Sequence, residues 1–190
     1  MTKQHYDERN NTVEMTVLIT PDMANFSGNM HGGSLLKLID QVAYTCAARY
    51  CGKYAVTLSV DHVQFKEAIK IGELVTLLAS VNHVGNTSME VGVKIVAEDI
   101  QTNTQRHTNS CYLTMVAVDE NGKPSKVPPL KLVDSTQKAR FIAAKLRKEL
   151  RARHNEHLSA LHSKWKDKIE NLTSEQIDAE FDKYMNTDKS

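Results

Sequence analysis

Apolar and polar positions divide the chain into three regimes. Between Ser34 and Tyr50 the residues Leu35, Leu36, Leu38, Ile39, Val42, Ala43, Cys46 and Ala47 cover most of a helix's circumference. That spread predicts a helix buried on several sides. Lys37, Gln41, Thr45 and Arg49 recur every four positions and form its one narrow wet stripe. From Gly52 to about Val118 the period changes to two, with TLSVDHVQF, ELVTLLASVNH, SMEVGVKIVAED and RHTNSCYLTMVAV as four predicted strands. An earlier strand is predicted from Val13 to Ile19, where Pro21 and Asp22 break the pattern. In TLSVDHVQF the alternation slips near His62, which predicts a bulge or bend there.

The connectors are short and rich in turn residues: Ile71 and Gly72, VGNT around Gly85, and QTNT from Gln101. None is long enough for a parallel crossover, so an antiparallel meander is expected. NGKPSKVPPL, Asn121 to Leu130, closes this block. Beyond it Phe141, Ile142, Leu146, Leu150, Leu158, Leu161, Trp165 and Ile169 stand at three- and four-residue spacings suited to amphipathic helix. The predicted class is therefore α+β. A domain over residues 1–130 has one long helix wrapped by a curved antiparallel sheet, and a charged helical extension covers 131–190. The exposed edge of such a sheet is expected to be covered by a second copy.

Composition alters this picture little. The chain has 190 residues and a formal charge of +1, which describes neither a generally basic nucleic-acid binder nor a disordered chain. Charge is nevertheless uneven: residues 131–168 carry eleven Lys or Arg against four Asp or Glu, and 169–190 carry two against six. The basic stretch could meet an anionic membrane, a nucleic acid or phosphates, or simply form a solvated helix packed on a core or a second subunit. No nucleic-acid partner is expected. No apolar run reaches membrane-span length, and the opening MTKQHYDERNN lacks the apolar core of a secretory signal, so a cytoplasmic protein is expected. Cys46, Cys51 and Cys111 sit in apolar patterns without CxxC or CxxH spacing and are expected to be reduced packing thiols, with no metal site.

The chemistry concentrates in ANFSGNMHGGSLLKLID, Ala24 to Asp40. Asp40 shares a helix side with Leu36, Ala43, Tyr44 and Ala47, at the margin of the buried face. A buried carboxylate must be hydrogen-bonded, neutralised or turned toward a polar cleft. Gly32 and Gly33 allow close backbone approach, and the helix that follows offers unsatisfied amides at its positive end. Asn25 and Asn29 supply neutral amides able to orient water or a carbonyl. His31 could serve as a general base or close the loop at the helix start.

PDMANFSGNMHGGSLLKLIDQVAY and VTLSVDHVQFKEAIKIGELVTLLASVNHVGNTSMEV together resemble the hotdog-fold acyl-CoA thioesterases, in particular cytosolic acyl-CoA hydrolases with the HGG segment. The resemblance covers roughly residues 13–130. It implies hydrolysis of acyl-CoA to free fatty acid and coenzyme A. It also implies dimers that share one sheet, assembly as trimers of dimers, and no cofactor. The implied site lies between subunits, with Asn25 of one facing Asp40 of the other. Asp40 would act as general base or nucleophile, and backbone N–H near Gly33 as oxyanion donor, with Asn29, His31 and Gly32 supporting the loop. The turn Gly85, Asn86, Thr87 and Ser88 is implied to contact coenzyme A, with Arg106 and His107 facing its phosphates. The turn also reads as an ordinary hairpin connection. Leu35, Leu38, Ile39 and Tyr44 could line an acyl tunnel or be core. Two rival readings are a hydroxyacyl dehydratase using His31, which lacks an acid placed across from it, and a non-catalytic acyl-CoA sensor.

Overall fold

The computed structural model describes residues 11–61 and 63–187. The polar opening of the chain and His62 lie outside them. In chain order the elements are β1 (Thr12–Leu18), a 3-10 turn (Pro21–Met23), α1 (Gly32–Cys51), β2 (Tyr54–Val60), β3 (Leu74–Val84), β4 (Ser88–Asp99), β5 (Thr104–Val118), α2 (Ser135–Glu170) and α3 (Ser174–Thr187). The chain divides into two compact units, one reaching Ala144 and the other starting at Lys145.

The first unit is a five-stranded antiparallel sheet, ordered β1-β3-β4-β5-β2, with α1 against it. Odd-numbered residues of the central strands supply the floor of the core: Val75, Leu77, Ala79 and Val81 on β3, Met89, Val91, Val93, Ile95 and Ala97 on β4, and Cys111, Leu113, Met115 and Ala117 on β5. Leu35, Leu38, Ile39, Val42, Ala43, Cys46, Ala47 and Tyr50 of α1 close it from above. Each large side chain among them contributes about 1.5–3 kcal/mol through burial. The helix begins where His31 caps it, Nδ1 accepting from Gly33 N at 2.9 Å. It ends at Gly52, whose φ of 67° lets the chain turn out while its N–H bonds Ala48 O. Burial pushes the Cys46 and Cys111 thiols up to about 12, as befits packing residues.

Two expectations need correction. The sheet is a meander only from β3 to β5; β2 lies beside β5, not β3. Strand β2 stops at Val60, leaving thirteen residues, 61–73, to connect edge strand β2 to β3, the neighbour of the opposite edge strand β1. The register shift in β2 falls between Thr57 and Ser59, before the slip near His62. Every residue of β2 except Ala55 is exposed.

At the start of α2, Phe141 stacks on His83 with ring centres 5.1 Å apart, and Ala144 is fully buried. In the second unit α3 begins with a reciprocal cap, Thr173 N to Gln176 Oε1 and Gln176 N to Thr173 Oγ1. Lys168 lies over the Trp165 ring and pairs with Glu180. Within this unit Leu146, Leu150 and Leu158 are exposed. No helix among the described residues is long and apolar enough to cross a membrane.

Candidate active site

Asp40 is exposed at the middle of α1, and Thr57 Oγ1 donates to its Oδ1 at 2.6 Å. The same hydroxyl lies 3.4 Å from Met115 Sδ, so it is fixed between helix and sheet. The chain around this pair is apolar yet uncovered: Leu36 and Tyr44, one turn either side of Asp40, and Val56 and Leu58, flanking Thr57, are all exposed. Tyr44 packs on Tyr54 with ring centres 5.4 Å apart. The buried margin expected for Asp40 is thus an exposed apolar patch in one chain, although Ala43 and Ala47 are buried as expected.

The loop before α1 is organised by Asn25. Its Oδ1 accepts from Ser27 N, Ser27 Oγ and Asn29 N at 2.8–3.2 Å, an arrangement short polar side chains adopt readily. Asn25 N also donates to Asn29 O at 2.7 Å. The Asn25 Nδ2 group has no acceptor among the described residues. His31 Nδ1 accepts the Gly33 N–H, so both are engaged, whereas the N–H groups of Gly32 and Ser34 find no acceptor among the described residues. Phe65 covers the helix start, and a Cβ on Gly32 would lie 3.4 Å from its ring. A cleft of about 330 Å³ opens here, lined among others by Asn25, Asn29, Gly32, Leu35, Phe65 and Lys66. Leu35, Leu38 and Ile39 are core.

Asn25 and Asp40 are not brought together within the chain. Eight residues of helix separate Gly32 from Asp40, about 12 Å along the axis.

The turn at Gly85, Asn86, Thr87 and Ser88 closes the β3–β4 hairpin through Gly85 N to Ser88 O at 2.7 Å. Arg106 sits toward the other end of β4, opposite Ala97, while Ser88 is opposite Val116. Nine residues of strand separate the two positions, roughly 30 Å. The guanidinium is committed elsewhere: Nη1 and Nη2 bond both carboxylate oxygens of Glu73 at 2.7 and 2.8 Å, Nη2 also bonds Ala68 O, and Nε lies 3.2 Å from Glu67. Hydrogen bonding from Arg106 holds the Glu73 carboxyl below its usual range. His107 Nε2 pairs with Ser110 Oγ at 2.9 Å. Among the described residues no group of three or more His, Cys, Asp or Glu is arranged to hold a metal. Thr57 was not foreseen, because a threonine in a strand is ordinary until its neighbour across the fold is known.

A long helix packed on a curled antiparallel sheet is the architecture of the hotdog-fold thioesterases. Residues 27–104 match the thioesterase superfamily model, and the chain belongs to the hotdog-fold acyl-CoA thioesterases, a family of thioester hydrolases. It is 55% identical over 139 residues to protein VdlD of Helicobacter pylori, covering 73% of this chain and 79% of that one. A solved apo-hexameric acyl-CoA thioesterase aligns with TM-score 0.74 at 36% identity, covering 78% of this chain and 94% of that one. The Staphylococcus aureus acyl-CoA hydrolase, solved with butyryl coenzyme A and coenzyme A, aligns with TM-score 0.72 at 33% identity over 80% of this chain and 93% of that one. That enzyme has also been solved with an asparagine, an aspartate and a threonine each replaced by alanine.

Proposed function

We propose that this chain hydrolyses acyl-CoA thioesters to free acid and coenzyme A at a site shared by two protomers. The observation that carries the reading is the Thr57–Asp40 hydrogen bond set in an uncovered apolar patch. The three alanine variants of the Staphylococcus enzyme support it. Their positions are spaced fifteen and then seventeen residues apart, the spacing of Asn25, Asp40 and Thr57 here.

In this mechanism Thr57 fixes one oxygen of Asp40, leaving the other to take a proton from water. The hydroxide attacks the thioester carbonyl, and the tetrahedral intermediate expels the coenzyme A thiolate. The opposite protomer contributes its loop and helix start. Asn25 Nδ2 orients the water or carbonyl, and the amides of Gly32 and Ser34 stabilise the oxyanion at the positive helix end. Gly33, expected to donate, is occupied by His31, which acts as a cap. The thioester enters between these two halves, with the cleft under Phe65 at its mouth.

Pairing of two β2 edges assembles this site and covers Tyr54, Val56 and Leu58, resolving their exposure on an edge strand. Three such dimers would make the hexamer that the apo relative forms. Release of thiol from acyl-CoA substrates of graded length tests the activity. The reading requires turnover by the parent and its loss in Asp40→Asn; tight binding without release at any length would establish an acyl-CoA sensor instead.

A further inference from the structure

The loop before α1 holds one apolar side chain out into solvent. Phe26 has a relative exposure of 114%, the highest of the large apolar residues described. Slack in the chain does not put it there. Its neighbour Asn25 takes hydrogen bonds on Oδ1 from Ser27 N, Ser27 Oγ and Asn29 N, and Gly28, at φ 76°, turns the chain back with its N–H on Asn25 O at 3.1 Å. The base of the loop is tied down as well: Met30 N bonds Ile69 O and His31 N bonds Met23 O, both at 2.7 Å. A ring presented by so fully bonded a turn cannot fold back onto its own chain. An aromatic side chain of about 150–250 Å² held out in this way marks a surface that is covered from outside.

The shared site fixes what covers it. Successive Cα atoms lie about 3.8 Å apart. A loop that carries the Asn25 amide to the water held by Asp40 of the opposite protomer therefore carries Phe26 to within about one helical turn, 5.4 Å, of that carboxylate. The surface there is apolar and open. Leu36 and Tyr44 lie one turn either side of Asp40, Val56 and Leu58 flank Thr57, and all four are exposed. Charge permits the approach, because residues 23–30 carry none and bring no second anion to Asp40. Ring and patch are the same kind of surface, each without cover in the single chain.

We propose that Phe26 is a positioning residue of the shared site: it seats in the apolar patch around Asp40 and Thr57 of a second copy of this chain, and so sets Asn25 against that carboxylate. The twofold repeats the contact, so each protomer gives one ring and receives one. A single aromatic anchor seated in an apolar patch is the kind of contact that dominates an interface. The proposal rests on the shared-site reading above.

The test uses refolded mixtures of Asn25→Ala and Asp40→Asn chains. Their mixed dimers keep one intact site, built from the loop of the Asp40→Asn chain and the carboxylate of the Asn25→Ala chain. Phe26→Asp is added to one chain or the other; either placement removes one seat of two, so both weaken the dimer equally, and mixed dimer is quantified in each sample. Per mixed dimer, thiol release from acyl-CoA should fall at least about tenfold when Phe26→Asp is in the Asp40→Asn chain, whose loop serves the intact site. It should stay within about twofold when the substitution strikes the dead site instead. Equal activity from the two placements overturns the proposal and leaves the shared site standing. No recovery in the mixture without Phe26→Asp overturns the shared site itself, and the seat with it. Phe26→Ala and Phe26→Leu in the parent chain separate seating from contact with substrate. Seating predicts a dimer dissociation constant raised about thirtyfold in Phe26→Ala, a kcat lowered by the same factor at every acyl length, and recovery of both with Leu. A loss confined to KM and growing with acyl length would assign the ring to the acyl chain and overturn the proposal. Circular dichroism should show an unchanged fold in both variants, since the side chain is uncovered in the single chain.

Discussion

Thr57 and Asp40 stand seventeen positions apart in sequence and 2.6 Å apart in space, joining edge strand β2 to the middle of the central helix. The hydroxyl is itself fixed against Met115, so the carboxylate is oriented by the sheet and not by its own helix. Replacing Asp40 with Asn should lower turnover about a thousandfold, because removal of a general base leaves the oxyanion donors alone. Thr57→Val should lower it about tenfold with folding intact, since the carboxylate remains but loses its fixed orientation. Steady-state thiol release, with a melting curve for each variant, checks both.

The β2 edge gives a second prediction. Leu58 is 69% exposed and flanks Thr57, so Leu58→Lys should leave the protomer's stability within about 0.5 kcal/mol. It should abolish dimerisation and activity together, because a charge would be carried into the paired edge. Sedimentation and thiol release on one sample check the coupling; an active monomer would refute the shared site.

Acid should loosen the Arg106–Glu73 clamp. The Glu73 carboxyl is held below its ordinary value of 4.5 by its hydrogen bonds with Arg106. Its contribution is therefore fully present above that value and lost as pH falls through the lower folded one. Glu73 is nearly buried and Arg106 is 28% exposed, so Glu73→Gln should cost about 2 kcal/mol at neutral pH. The difference between parent and variant should narrow as the solution is acidified, as urea unfolding at several pH values would show.

Gly92 makes a packing prediction. A Cβ there would overlap Asn82 Nδ2 and come within 3.2 Å of the Tyr112 ring, while Asn82 is buried and its Oδ1 is held by Ser80 Oγ at 2.8 Å. Neither neighbour can move without breaking a contact. Gly92→Ala should destabilise the fold by about 1–3 kcal/mol, measurable as a lower urea midpoint at unchanged slope.

Local periodicity made much of this fold readable. The apolar circumference of α1 and the odd-numbered stripes of β3, β4 and β5 are one-dimensional patterns with one physical cause, burial against each other. The place of β2 was not readable, because its residues are exposed on both faces and alternation identifies neither neighbour. The same limit applies to the site. Asp40 stood out as an acid in an apolar helix, but Thr57 gave no signal before the fold placed it against that acid. Arg106 looked available for phosphate because Glu73, thirty-three positions away, is adjacent only in three dimensions. His31 left two readings open, a general base or a side chain closing the loop, until its ring nitrogen was found on the Gly33 amide.

The central claim, that Asn25 and Asp40 of different protomers complete one site, is tested most directly by mixing two inactive chains. Asn25→Ala and Asp40→Asn proteins are unfolded and refolded together at equal amounts, and thiol release is compared with each alone. In a mixed dimer one site carries both substitutions and the other carries neither, so the mixture should recover about a quarter of parental activity for random twofold pairing. Recovery no greater than the sum of the separate variants, in a sample shown to contain mixed dimers, would contradict the shared site.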